Sequence, residues 1–205
     1  MPIVRFAAMF ALLAFLLSPQ LLPAQAQPQW VAALRSGGHV IVFRHGATHQ
    51  DQADTDPFNW NNTEKQRHLN NAGRAKHKEI GEAFRKLRIP VSAVYTSLIF
   101  RAIETGKIMF PDITPTTTVD LVETALVYTP IENNRRIAAL RKMAATIPPA
   151  GGNAVIVSHK GNVLDAFGKD WFDVAEGEAT ITKPDGNAYT VVTRVKADDW
   201  AKITQ

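Results

Sequence analysis

Three short runs of apolar, largely β-branched residues set the fold class of this chain. They are His39-Val40-Ile41-Val42-Phe43, Val91 to Tyr95 and Asn153 to Ser158. Consecutive apolar positions, rather than alternating ones, mark strands buried on both faces. Helical patterns separate them. Asn71 to about Leu87 carries Ile80, Phe84 and Leu87 at i, i+4 and i+7, with Asn71 as the expected cap. Phe100 to Phe110 is closed by Pro111, and Asn133 to Thr146, with Ile137, Leu140 and Met143 on one face, runs toward Pro148-Pro149. Trp30 to Arg35 makes a short helix ahead of Gly37-Gly38, and Pro115 to Val119 is extended. Ala179 to Thr182 and Tyr189 to Val195 flank Lys183-Pro184-Asp185-Gly186-Asn187, a hairpin pattern. Strands alternating with helices predict an α/β domain with a mostly parallel sheet.

The chain has 205 residues, and no repeat or linker divides it, so one domain is expected. With 45% hydrophobic and 20% charged residues it has the composition of a globular protein. A formal charge of +4 is too small for a nucleic-acid binder and fits one basic pocket for an anion. No Cys is present, which excludes thiol nucleophiles, thiolate metal sites and disulfides. Arg5, the 12-residue apolar run Phe6 to Leu17 and the exit Ala24-Gln25-Ala26 make a secretory signal peptide over residues 1–26. The run is short of the roughly 20 residues that a spanning helix needs. The expected mature chain, 27–205, is exported to a periplasm or secreted, with no stable membrane insertion.

In a parallel sheet, ligands bind beyond the carboxyl ends of the strands. There this sequence places Arg44-His45, Ser97 to Arg101 and His159. Two guanidiniums present forked donors that match phosphate oxygens. A neutral imidazole can attack phosphorus, and a second can donate a hydrogen bond to the group in flight. Neighbouring Arg side chains disfavour protonation of either His. The set suits phosphoryl transfer, in which positioned charge does most of the work. The polar stretch Ala47 to His68 is long enough to be a functional loop. His39, His68 and His77 are expected to be structural or exposed, and Trp171-Phe172 to pack in the core or on the hairpin. A zinc reading of His45, His49, His68 and Asp51 lacks any paired ligand spacing.

Four segments in order carry a family resemblance. Val40-Ile41-Val42-Phe43-Arg44-His45-Gly46-Ala47-Thr48 resembles the signature of the histidine phosphatase superfamily, in its phosphoglycerate-mutase-like branch. Leu69-Asn70-Asn71-Ala72-Gly73-Arg74, the Ser97 to Thr105 segment with Arg101-Ala102, and Val155-Ile156-Val157-Ser158-His159 resemble its other motifs. The likeness runs from about Gly38 to Trp200. It implies a three-layer sandwich with helices on both faces of the sheet, plus the C-terminal hairpin. It implies His45 as the phosphorylated nucleophile, Arg44, Arg101 and His159 around the phosphate, Thr48 as a further phosphate contact, and no metal or organic cofactor. Gln66-Arg67-His68-Leu69 and Asp198-Asp199-Trp200 resemble small exported members.

Two departures from the family pattern stand out. Leu121-Val122-Glu123 fits the segment that supplies the proton donor, but Thr124-Ala125-Leu126 does not continue it. Glu123 is the first choice of donor and Glu178 the second. Lys160 stands where a Gly often follows the second His, either as a cation at the pocket mouth or as a solvated side chain. The resemblance implies a metal-independent phosphomonoesterase of the histidine acid phosphatase type, acting on a small phosphorylated substrate. The alternatives are a phosphoglycerate-mutase-type phosphotransferase and a non-catalytic binder of phosphorylated envelope sugars.

Overall fold

A computed structural model describes residues 27–123 and 129–204. The expected signal peptide, and the Thr124-Ala125-Leu126 departure, lie outside the described residues. Six strands form one sheet in the order β3-β2-β4-β1-β5-β6. They are β1 (Val40–Arg44), β2 (Val91–Ser97), β3 (Thr116–Thr118), β4 (Asn153–Ser158), β5 (Ala179–Pro184) and β6 (Tyr189–Val195). β1 pairs in parallel with β4, and β2 with both β3 and β4, while β5 runs antiparallel to β1 and to β6. The predicted hairpin is therefore an edge of the main sheet.

Among the described residues six α-helices accompany the sheet: α1 (Gln29–Arg35), α2 (Asn71–Lys86), α3 (Phe100–Met109), α4 (Pro130–Ala145), α5 (Lys160–Phe167) and α6 (Asp199–Ile203). Side chains of successive strand residues point to opposite faces, and the two cores follow that alternation. Ile41, Phe43, Val155 and Val157 face a cluster with Leu34, Ile80, Phe84, Ala102 and Trp200, from α1, α2, α3 and α6. Val40, Val42, Ala154 and Ile156 face a second cluster with Leu140, Val163 and Ala166, from α4 and α5. This is the expected three-layer arrangement. Trp200 is fully buried and stacks on Phe84 with centroids 4.7 Å apart, so the last helix closes the first core.

Helix boundaries differ from the sequence expectation for local reasons. Asn70, not Asn71, caps α2: its side-chain oxygen accepts the Gly73 N–H at 2.8 Å. The α4 helix starts three residues early because Thr129 caps it and Pro130 takes the first position. Of the pair Trp171-Phe172, only Trp171 packs, donating its indole N–H to Thr180 at 2.8 Å, whereas Phe172 is exposed.

The connections open a crevice. After β1 the chain leaves to the first face as α2, and after β4, its neighbour, it leaves to the second face as α5. The carboxyl ends of β1 and β4 therefore bound a cleft that no helix covers.

Gly73 locks the α2 entrance to that cleft, because a Cβ there would collide with the Ala47 backbone. Ala is worth up to about 1 kcal/mol more than Gly in an open helix. Here overpacking, typically about 1–3 kcal/mol, opposes that gain. Gly73→Ala is expected to lower the denaturation midpoint in urea and to displace the turn after His45. An unchanged or raised midpoint would refute the lock.

Candidate functional site

The register of β1 on β4 pairs Arg44 with Ser158, so His45 and His159 leave the sheet side by side. The His45 N–H donates to the Ser158 carbonyl at 3.0 Å, and the two rings stand 5.2 Å apart at 62°. Both side chains are buried. His45 Nδ1 lies 2.8 Å from the Gly46 carbonyl oxygen. A carbonyl only accepts, so in the neutral ring Nδ1 holds the proton and Nε2 keeps its lone pair. Burial holds the His45 imidazole well below the ordinary value of 6.5, aided first by Arg101 and then by Arg44 and Arg67, against the Gly46 hydrogen bond. His159 is lowered in the same way, by burial first, then by Arg101, His45, Arg67 and Arg44. Its ring nitrogens are buried without a hydrogen-bond partner among the described residues. With His159 neutral, the 3.7 Å approach of Nδ1 to Glu123 is a contact rather than an ion pair.

Arg101 enters from the first turn of α3, fully buried. Its Nη1 donates to both Asp54 oxygens at 3.0 and 3.1 Å, and its Nη2 to Glu123 Oε2 at 2.6 Å. Thr105 fastens this turn to the loop after His45: its hydroxyl donates to the Arg101 carbonyl and accepts the Gly46 N–H. Arg44 donates from Nη1 to the Val174 carbonyl at 2.8 Å, and its Nη2 lies 3.5 Å from Glu176. The Nε atoms of Arg44 and Arg101 are buried without partners among the described residues, which leaves each guanidinium a donor to spend. These side chains can seat a tetrahedral anion beside two neutral imidazoles.

The four residues Arg44, His45, Arg101 and His159 thus converge as the sequence analysis expected, with Glu123 beside them. Thr48 differs. Its hydroxyl is buried and donates to Glu176 at 3.3 Å while accepting from Arg67 Nη1 at 2.8 Å. In the resting site its one proton serves the Glu176 carboxylate. Glu178 differs too: it is buried, pairs with Arg194 of β6 and accepts the Ala175 N–H, so it holds a turn. Lys160 is exposed at the start of α5. His49 lies 4.0 Å from Asp51, His68 contacts the Thr63 carbonyl, and no group of three or more His, Cys, Asp or Glu side chains among the described residues is arranged to hold a metal ion.

Sequence reasoning missed Asp54, Arg67 and Glu176. Asp54 and Arg67 lie in the loop that length alone marked as functional. Glu176 and Glu178 are two residues apart, so strand alternation cannot choose between them. Gly177, at φ +75°, breaks that alternation and sends them to different partners.

The buried imidazoles make stability depend on pH. The folded state binds fewer protons than the unfolded chain below about pH 6.5, because His45, His159 and His77 are all lowered on folding. Stability should be level above that pH and fall as acid is added, by at most about 1.4 kcal/mol per pH unit for each site. Melting temperatures across pH 4.5–8 measure this, and His159→Asn should flatten the slope. A melting temperature independent of pH would exclude neutral buried imidazoles.

The sequence model of the histidine phosphatase superfamily (branch 1) matches residues 40–127. No curated protein matches the chain by sequence. Among solved structures, the protein histidine phosphatase SixA complexed with tungstate is 15% identical at a TM-score of 0.55, covering 78% of this chain and 98% of that one. A mycobacterial glucosyl-3-phosphoglycerate phosphatase in complex with VO3 is also 15% identical at 0.56, covering 76% and 97%. YhfR of Bacillus stearothermophilus is 18% identical at 0.52, covering 76% and 95%. At these identities the structures speak to the fold alone. The match over 40–127 spans β1 with its Arg44-His45 end, the loop carrying Asp54 and Arg67, α3 with Arg101, and Glu123, so this stretch of the chain is similar to the histidine phosphatase superfamily (branch 1).

Proposed function

We propose that the protein is a phosphomonoesterase that works through a phosphohistidine on His45 and needs no metal. One observation carries this reading: His45 is neutral and held at Nδ1 by Gly46, with Nε2 free as a lone pair beside Arg44, Arg101 and His159. In the first step Nε2 attacks phosphorus and the ester P–O bond breaks, its electrons leaving with the alkoxide. Arg44 and Arg101 hold the non-bridging oxygens, and His159 donates a ring N–H to one of them. In the second step water attacks the phosphoryl group, the P–N bond breaks, and inorganic phosphate departs.

The alkoxide needs a proton, and we assign it to Glu123. In the resting protein this carboxylate sits on Arg101. Phosphate competes for the same guanidinium, which releases the Glu123 carboxyl toward the leaving oxygen. The same group, then deprotonated, accepts a proton from the attacking water. We further propose that residues 1–26 direct export and that 27–205 act as one domain. The natural substrate is a small phosphate ester.

His45→Ala should abolish phosphate release while leaving the fold intact, because a nucleophile cannot be replaced by positioning alone. Wild-type protein quenched during turnover should carry an acid-labile, alkali-stable phosphate. Substantial activity in the variant would sink the proposal, and wild-type protein that binds phosphate esters but releases none would favour a binder. Export is checked by N-terminal sequencing of periplasmic material, with Gln27 expected first.

Glu123→Gln should slow hydrolysis of alkyl phosphates by about 10²–10⁴ and largely spare p-nitrophenyl phosphate, whose phenolate leaves almost unaided. Equal losses on both substrates would make Glu123 a phosphate-binding or structural residue instead.

A further inference from the structure

We infer that Arg67 is a third guanidinium of the phosphate cradle, brought by the Ala47–His68 loop to contact the transferred group. The inference rests on the phosphohydrolase reading above and adds to it a residue that contacts substrate.

The charges of the resting site favour such a group. Asp54, Glu123 and Glu176 contact the two guanidiniums of Arg101 and Arg44, and both imidazoles are neutral. Two cations holding three carboxylates leave a net charge of −1, which repels a phosphate dianion. Arg67 brings the cluster to zero. Its placement is built rather than accidental. Nη1 donates to Thr48, which donates to Glu176 on Arg44, and the backbone N–H donates to Asp54 on Arg101 at 2.9 Å. The flanking residues pin it on both sides. Gln66 is buried and accepts the Phe100 N–H at 2.7 Å at the start of the helix that carries Arg101, while Leu69 is fully buried and bridges to Thr48.

Arg67 itself is half-buried, and its Nε and Nη2 make no hydrogen bond among the described residues. Its charge works against protonation of His45, His159 and Arg44, which sets it within electrostatic reach of all three. A guanidinium with one nitrogen anchored on Thr48 and two uncommitted donors is prepared for a bidentate oxyanion.

Calorimetric titration of the mature protein with inorganic phosphate and with orthovanadate tests this without requiring turnover. Arg67→Gln should weaken binding of both anions at least tenfold while the melting temperature stays close to wild type. Arg67→Lys, which keeps the charge but not the fork, should recover part of the loss. Thr48→Val, which removes only the anchor, should cost less than Arg67→Gln. Unchanged anion binding in Arg67→Gln overturns the inference. So does a Thr48→Val loss as large as that of Arg67→Gln with no recovery in the Lys variant, because Arg67 would then act only by holding Thr48. Should Arg67→Gln fail to fold, Arg67→Lys is compared with wild type and with Thr48→Val: anion binding weaker than in both supports the contact, and binding equal to that of wild type or of Thr48→Val overturns it. Wild-type protein that binds phosphate tightly yet hydrolyses no ester would refute the phosphatase reading and leave the Arg67 comparison intact.

Discussion

The parallel pairing of β1 with β4 is the constraint on which the rest of the site depends. The two strands are adjacent in space but separated by more than a hundred residues in sequence, and their register sets Arg44 opposite Ser158. That register alone makes neighbours of His45 and His159. The flanking helices α2 and α5 leave to opposite faces of the sheet. A slip of one residue would turn every side chain of β1 to the wrong face and exchange the two cores. Packing of Ile41 and Phe43 against one layer, and of Val40 and Val42 against the other, thus fixes the geometry of the imidazoles.

Electrostatics then decides the state of those rings. Buried imidazoles resist protonation, and buried guanidiniums beside them add to the resistance. The guanidiniums in turn need partners, because an isolated buried charge is costly. Asp54, Glu123 and Glu176 provide them, at the positions that an oxyanion would contest. Under the proposed function, anion binding at this site would be an exchange of one set of oxygens for another. Affinity depends on how easily the carboxylates yield.

The same exchange ties the Ala47–His68 loop to the chemistry. Asp54 and Arg67 belong to one loop and grip each other through the Arg67 N–H, so a change at Arg101 reaches Thr48 and Glu176 through a short chain of hydrogen bonds. The loop has little regular structure, yet its end is held in place, because Gln66, His68 and Leu69 are tied to α3 and to Thr48.

Much of this was legible in the sequence. The apolar runs at 40–43 and 153–158 specify buried strands, because consecutive apolar residues have no other place in an α/β domain. The pattern Ile80, Phe84, Leu87 specifies one buried helix face. Arg44, His45, Arg101 and His159 could be placed at strand ends or a helix start because those elements have strong local signals. The side-chain partnerships could not. Nothing in the spacing shows that Thr48 spends its proton on Glu176, that Glu178 is held by Arg194, or that Asp54 reaches Arg101 across 47 positions. Such contacts form between segments far apart in the chain, and a single glycine with positive φ, Gly177, decides which of two glutamates points where. The sequence determined which residues carry charge and which strands are buried, since both are local properties. Only the tertiary structure decided which charges meet, because that depends on the register and packing of elements distant in sequence.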